Sequence, residues 1–377
     1  MTEYRITAGF LPLLDSLLLV IAREKGFAAA ENIDLALVRE TSWANIRDRT
    51  AVGHFDVAHM LAPMPIAASL GLTPIAAPVI APMALGLGGN AVTVSTALWQ
   101  RMADAGAPDT LDAAAVGNAL AKVVAQSGRK LRFAVVHPHS GHNYELRYWL
   151  AACGIHPDRD VEIVILPPPL MADALKAGGV DGYCVGEPWN SVGVASGAGV
   201  IATVKSQIWR ASPEKVLGVT QAWAGRNPQA LAALLRAFHA ASLWCDSPAN
   251  HGEAAVILST PAYLGQPAEL IQRGLSGRLE TALGKQAKIE DFFIPHARAA
   301  TFPWTSHALW FYSQMVRWGD VAHSAENARI AAASYRPDLY RAAIAGAPAG
   351  DIRPPETFFD GRVFDPEKLD AYIREQA

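Results

Sequence analysis

Short apolar segments of strand character alternate with helical segments in two successive series, separated by one glycine-rich passage at 86–89. Such alternation commits a chain to parallel sheets with helices packed on their faces, and two series imply two such layers with a cleft between them. In the first series strands are expected at 4–9, 33–39, 55–60 and 75–79. Helix starts are marked by Pro12 with Asp15-Ser16, by Thr41-Ser42-Trp43 and by Pro63-Met64-Pro65. The second series has strands at 91–94, 131–136 and 161–166 and one containing Val185, with helices at 99–126, 145–153 and 170–177. Past residue 200 the chain returns to the first layer with a strand at 216–220 and a long helix at 229–245, opened by Asn227-Pro228. The remainder is expected to be mostly helical, with loops near 291–302 and 345–364. The expected organisation is therefore residues 1–88 as the first part of lobe one, 89–200 as lobe two, 201–320 as the second part of lobe one, and 321–377 as an extension packed on lobe one.

A chain of 377 residues that is 51% hydrophobic buries a large core, enough for about two lobes. Its 32 basic and 35 acidic residues leave a net charge of -3, which excludes a broad basic field for nucleic acid or an anionic membrane. Charge selectivity has to be local. Cys153, Cys184 and Cys245 form no CxxC pair, and an odd count argues against a disulfide framework. The first residues carry no basic leader followed by an unbroken apolar core, because Asp15 interrupts the run, so a cytoplasmic protein is expected. The apolar run at 17–22 is too short to span a bilayer. No GxSxG, HExxH or GxxxxGK[ST] motif gives an enzyme reading an anchor.

The candidate site begins with DGYCVGEPWN at 181–190, a short buried strand ending in a glycine-opened turn that leaves backbone N–H groups to face a small ligand, or merely serves a strand end. His137, His139 and His142 crowd the next candidate turn. Alternate residues in a Pro- and Gly-containing turn converge poorly on a metal, whereas His142 at a helix start favours an anion. Lys215, just ahead of a strand, faces solvent or, turned inward, supplies a point charge for a small anion. Trp43 is a packing residue or a pocket wall, and Asn90 a turn residue or an amide donor.

Together these residues resemble a known family. Ser42-Trp43 followed by Arg47-Asp48, AHMLAPMP at 58–65, GHNYELRYWLAACGI at 141–155, PPP at 167–169, YCVGEPWN at 183–190, PEK at 213–215 and WTSHALWFYSQMVRWG at 304–319 are similar to the nitrate/nitrite- and bicarbonate-binding proteins of bacterial ABC importers, in order from about residue 5 to residue 320. The resemblance implies an α/β fold: a two-lobed, type II periplasmic-binding-protein-like clamp with parallel-rich sheets and a ligand cleft between the lobes. It implies nitrate or nitrite as ligand, held by Trp43, Asn90, His142, Lys215 and backbone groups of Gly186 and Glu187. Importers of the family carry glutamine where Asn90 stands. The bicarbonate branch carries an acidic residue in place of the lysine and uses a metal ion, so Lys215 implies a metal-free pocket without a cofactor. Nitrate accepts hydrogen bonds and donates none, so a donor-only pocket is expected. Without an export signal the chain resembles the family's cytosolic nitrate/nitrite sensors, which implies a regulatory RNA-binding antiterminator protein as partner and no direct contact with nucleic acid or membrane. The alternatives are the binding component of an importer, with a membrane permease as partner, and an enzyme on the same fold acting on a small molecule.

Overall fold

The computed structural model describes residues 3–376. Its strands in chain order are β1 (Tyr4–Phe10), β2 (Ile33–Arg39), β3 (Val57–Leu61), β4 (Val79–Ala84), β5 (Leu87–Gly88), β6 (Asn90–Ser95), β7 (Leu131–Val135), β8 (Val161–Ile165), β9 (Gly182–Gly186), β10 (Gly199–Val204) and β11 (Lys215–Thr220). A hairpin of β12 (Arg278–Ala282) and β13 (Lys285–Lys288) and the short β14 (Phe293–Ile294) follow. Two five-stranded sheets result, ordered β2-β1-β3-β11-β4 and β10-β6-β9-β7-β8.

The sheets are parallel-rich, as the resemblance implies, but not wholly parallel as strict alternation implies, because each contains one reversed strand. β1 runs parallel to β2 and β3, whereas β11 is antiparallel to both β3 and β4. In the second sheet β7 runs parallel to β8 and β9, whereas β6 is antiparallel to β9 and β10. The physical reason is connectivity: β6 and β11 are the first strands laid down after the chain crosses from one sheet to the other. A helix returns a strand to the same end of the sheet, but these crossings carry no full-length helix, so the new strand enters from the cleft. Parallel strands therefore end at the cleft with Phe10, Leu61 and Gly186, and the reversed ones begin there with Asn90 and Lys215.

Several boundaries move. The strand expected at 75–79 is β4, whose Pro82 is tolerated because β4 lies at a sheet edge. The helix expected at 99–126 is two helices, Thr96–Asp104 and Ala113–Ala125. Gly106, at φ +98°, lies in the break, and Asp112 caps the second helix by accepting from the Ala115 N–H at 2.7 Å. The helix expected from 145 begins at Gly141, capped by Ser140, which puts His142 in its first turn. The passage at 86–89 is no loose linker. β5 pairs with β14, the Gly88 N–H donates to the Ser212 carbonyl at 3.1 Å, and the Gly89 N–H donates to the Phe292 carbonyl at 2.6 Å.

Residues beyond 320 touch both layers. The Tyr335 hydroxyl donates to the Ala62 carbonyl at 3.0 Å, and the Tyr148 hydroxyl donates to Asp360 at 3.0 Å. Among the described residues no helix is long and apolar enough to cross a membrane.

Candidate functional site

Where the two sheets meet, a cluster of charged and polar side chains is shut away from solvent. Asp15 enters on the 3-10 turn Leu14–Ser16 that follows β1, His59 on β3, Lys215 at the start of β11, and Trp43 at the start of the helix Trp43–Ala51. From the other side come Asn90 on β6, Gly186 at the end of β9, His142 and Glu145 on the helix Gly141–Ala152, and Lys205 on the short helix Lys205–Ile208. Glu214 lies just ahead of β11, between the two sets. Every one of these charged groups is at most 3% exposed.

The Lys215 ammonium lies 2.7 Å from Asp15 Oδ2 and 3.0 Å from Glu214 Oε1, and 5.4 Å from the centre of the Trp43 ring. Lys205 Nζ lies 2.6 Å from Glu214 Oε2 and 3.0 Å from Glu145 Oε1, and also donates to the Pro213 carbonyl at 3.1 Å. Asn90 Nδ2 donates to Glu214 Oε2 at 2.6 Å. His142 Nδ1 approaches Glu214 Oε1 to 3.0 Å outside hydrogen-bond geometry, so both ring nitrogens lack a hydrogen-bond partner among the described residues. Trp43 Nε1 and Asn90 Oδ1 lack one too. His59 accepts from the Leu11 N–H at Nδ1, 3.4 Å, and meets Asp15 Oδ1 through Nε2 at 2.8 Å. That pattern fits a neutral imidazole with its proton on Nε2.

Five of the six residues expected in the pocket therefore converge: Trp43, Asn90, His142, Gly186 and Lys215. Gly186 belongs because its α-carbon faces the cluster: a β-carbon there would sit 3.2 Å from Asn90 Oδ1 and 3.6 Å from Asp15 Oδ2. Glu187 is the correction. Its amide donates to the Gly89 carbonyl at 3.0 Å and its carbonyl accepts from the Leu14 N–H at 2.8 Å, so the turn holds the Asp15 loop and has no N–H to spare at that residue. Its carboxylate accepts from the Ser191 N–H at 3.2 Å, with burial pushing it up to about 7. Trp189 ties the same loop down by donating to the Pro12 carbonyl at 3.0 Å.

A donor-only pocket is also corrected, because Asp15, Glu145 and Glu214 stand in the cluster. The sequence marks Asp15 as a helix start, and its position inside LPLLDSLLLV, an otherwise apolar run, is the available signal of a buried partner. Lys205, His59 and Glu145 carried no local signal at all. The histidine turn divides: His142 faces Glu214, while His137 Nδ1 accepts from the His139 N–H at 3.0 Å and His139 meets the Tyr144 hydroxyl at 3.0 Å. Among the described residues no group of three or more His, Cys, Asp or Glu is arranged to hold a metal ion.

Burial shapes the protonation states. It raises Asp15 and Glu214 by itself, yet Lys215 with His59 holds the first well below the usual carboxylate range, and Lys205 with Lys215, both in contact with it, holds the second there. Glu145 goes the other way, up to about 7, because burial outweighs Lys205. Burial keeps His59 and His307 below their ordinary value and takes His142 and His137 down to about 3. An unfolded chain protonates these histidines from about pH 6.5 downward while the folded one does not, so stability falls as pH falls. Glu145 and Glu187, raised to about 7, act with the opposite sign between about pH 7 and 4.5. Burial lowers His139, His239, His251 and His296 as well, so the depressed histidines outnumber the raised glutamates and stability is expected to fall between about pH 6.5 and 4.5. Denaturant midpoints at pH 7 and 5 measure it, and a midpoint that holds or rises would mean the imidazoles charge inside the fold.

The model of the NMT1-like family matches residues 2–259. The chain belongs to this family. Nitrate/nitrite binding protein NrtA of Synechococcus elongatus is 35% identical over 385 residues, covering 98% of this chain and 85% of that protein. Bicarbonate transport ATP-binding protein CmpC of the same species is 34% identical over 384 residues, with 98% of this chain covered but only 54% of that protein, so the chain spans about half of it. The crystal structure of the periplasmic nitrate-binding protein NrtA from Synechocystis PCC 6803 superposes with a TM-score of 0.91 at 31% identity, over 100% of this chain and 99% of that one. The fold of this family member is accordingly the two-lobed periplasmic-binding-protein-like clamp.

Proposed function

We propose that this protein is the substrate-binding component of a nitrate or nitrite importer, whose lobes, residues 1–88 with 201–320 and residues 89–200, close on one anion. The observation that carries the reading is the convergence of Lys215, Lys205, Asn90 and His142, from both layers, on a single buried point now held by one carboxylate. Cations and N–H donors brought together from two lobes stabilise a small planar anion between them and favour the closed form. We assign Trp43, Asn90, His142, Gly186 and Lys215 to the anion. Relatives named as nitrate-binding, nitrate-import and periplasmic proteins support the importer reading, with ABC-importer components as partners and the periplasm as compartment. The cytosolic sensor with an antiterminator partner finds no support among them, and no catalytic step is assigned.

A second reading, bicarbonate, is favoured by one observation. Asn90 Oδ1 is a buried acceptor without a partner, and bicarbonate, unlike nitrate, has a proton to donate. Titration of tryptophan fluorescence and calorimetry with nitrate, nitrite, bicarbonate and chloride separate the readings. Saturable one-to-one binding of nitrate or nitrite without a bicarbonate response is expected. A response to bicarbonate alone would move the assignment, and no saturable response to any of the four would end it.

A further inference from the structure

The contacts of Glu214 show how the site works, given the anion-binding reading above on which this inference rests. A carboxylate is planar, carries one negative charge and accepts hydrogen bonds at its oxygens, as nitrate does. The groups around Glu214 are the ones an anion needs, and they are spent: Lys205 on Glu214, Glu145 and the Pro213 carbonyl, Lys215 on Asp15 and Glu214, Asn90 Nδ2 on Glu214. We propose that Glu214 occupies the anion's own place until the anion arrives, and that capture displaces its carboxylate and takes up one proton on the Glu145–Glu214 pair.

Charge requires the proton. In the cluster two ammonium groups face three carboxylates, those of Asp15, Glu145 and Glu214, with His59 and His142 neutral. A fourth negative charge in a site this dry would have no counter-charge, and an unpaired buried charge is among the costliest things a fold can carry. The other titratable groups facing the pair cannot supply the balance. Cys184, on β9, has its thiol pushed up by burial and by Glu145, and Tyr335 is raised by burial and by Glu214, so both keep their protons throughout. His307, on the Lys205 side, is held neutral by burial and by Arg353 and Lys205. The carboxylate pair remains: Glu145 sits near 7 already, and Glu214 loses the lysines that hold it down once the anion takes them. The proton goes onto a carboxylate oxygen, and no bond to the anion forms or breaks.

Nitrate is the right probe, because it has no proton of its own to exchange between pH 6 and 9. Calorimetry of nitrate binding at pH 8 in buffers of different ionisation enthalpy should show uptake approaching one proton per anion, and affinity should fall toward tenfold per pH unit above about pH 7. Glu145→Gln and Glu214→Gln each remove one negative charge, so both should bind without proton uptake, with a flat pH profile and about tenfold or more tighter than the native chain at pH 9. Saturable nitrate binding by the native chain with no proton uptake would overturn this inference and leave the function standing. So would a folded Glu214→Gln, checked by thermal melt, that binds more weakly than native at pH 8. Should Glu214→Gln not fold, the native chain and Glu145→Gln decide the proton count. No saturable nitrate binding by the native chain would overturn the function and this inference together.

Discussion

Lys215→Ala is expected to abolish saturable nitrate binding and to cost about 3–5 kcal/mol of folding stability at pH 7, the range seen when one partner of a buried ion pair is removed. The lysine is fully buried and bonded to two carboxylates from different parts of the chain, Asp15 at 2.7 Å and Glu214 at 3.0 Å. Glu214 keeps Lys205 and Asn90 after the substitution, but Asp15 keeps only a neutral imidazole. The damage should therefore centre on Asp15. The sign with pH follows. The native Asp15 is held below its unfolded value, so its contribution is present above about pH 4 and lost as pH falls through its folded value. Protonated Asp15 no longer needs the lysine, so the deficit of the variant should shrink below about pH 4. Lys215→Met keeps the volume and gives the same pattern with less loss of packing. Urea titrations at pH 7 and pH 4, run beside calorimetry with nitrate, test both halves. Native affinity in a folded Lys215→Ala protein would remove the lysine from the site, and a deficit under about 1 kcal/mol at pH 7 would deny that the pair is buried and charged.

The alternation of strands and helices made the two layers legible, because the hydrophobic period reports which residues share a face. It could not report direction. Whether a strand is parallel or reversed depends on which end of the sheet the chain enters, and that is decided by the length and path of a crossing, as for β6 and β11. This is why Asn90 and Lys215 could be reached through motifs but not through local physics. A lysine at a strand start points to solvent in most contexts and becomes a buried charge only because β11 begins at the cleft. Gly186 was legible, since a glycine at a strand end announces a close approach. Lys205 and Glu214 were not, because a buried charge is defined by distant partners, and Asp15 showed only as a charge inside an apolar run, its partner Lys215 lying 200 residues away in the chain. Pro82 shows the same limit on a smaller scale, as a proline argues against a strand until the sheet order reveals an edge.

Gly88→Ala is expected to destabilise the protein by about 2–5 kcal/mol, from a left-handed backbone forced on a residue with a side chain and from overpacking. Gly88 has φ +78°, and a β-carbon there would lie 2.2 Å from the Phe292 carbonyl oxygen. Backbone cannot swing aside as a side chain tip does, so β5 and β14 must separate. Gly89→Ala is the control that isolates the clash. Its φ is +90°, but its β-carbon would meet only the ring of Phe293, at 3.2 Å, which can yield by a few tenths of an ångström. It should lose about 1–2 kcal/mol, the backbone part alone. The difference carries to the site, because Asn90 follows two residues later and the Gly88 N–H holds the Ser212 carbonyl just ahead of Glu214. Separating β5 from β14 therefore moves the donors on both crossings, and Gly88→Ala should lose anion affinity that Gly89→Ala keeps. Thermal melts and nitrate titrations of the two variants side by side measure this. Equal losses in both would mean that backbone strain, and not the Phe292 contact, sets the cost, and that the crossing is free to adjust without disturbing the site.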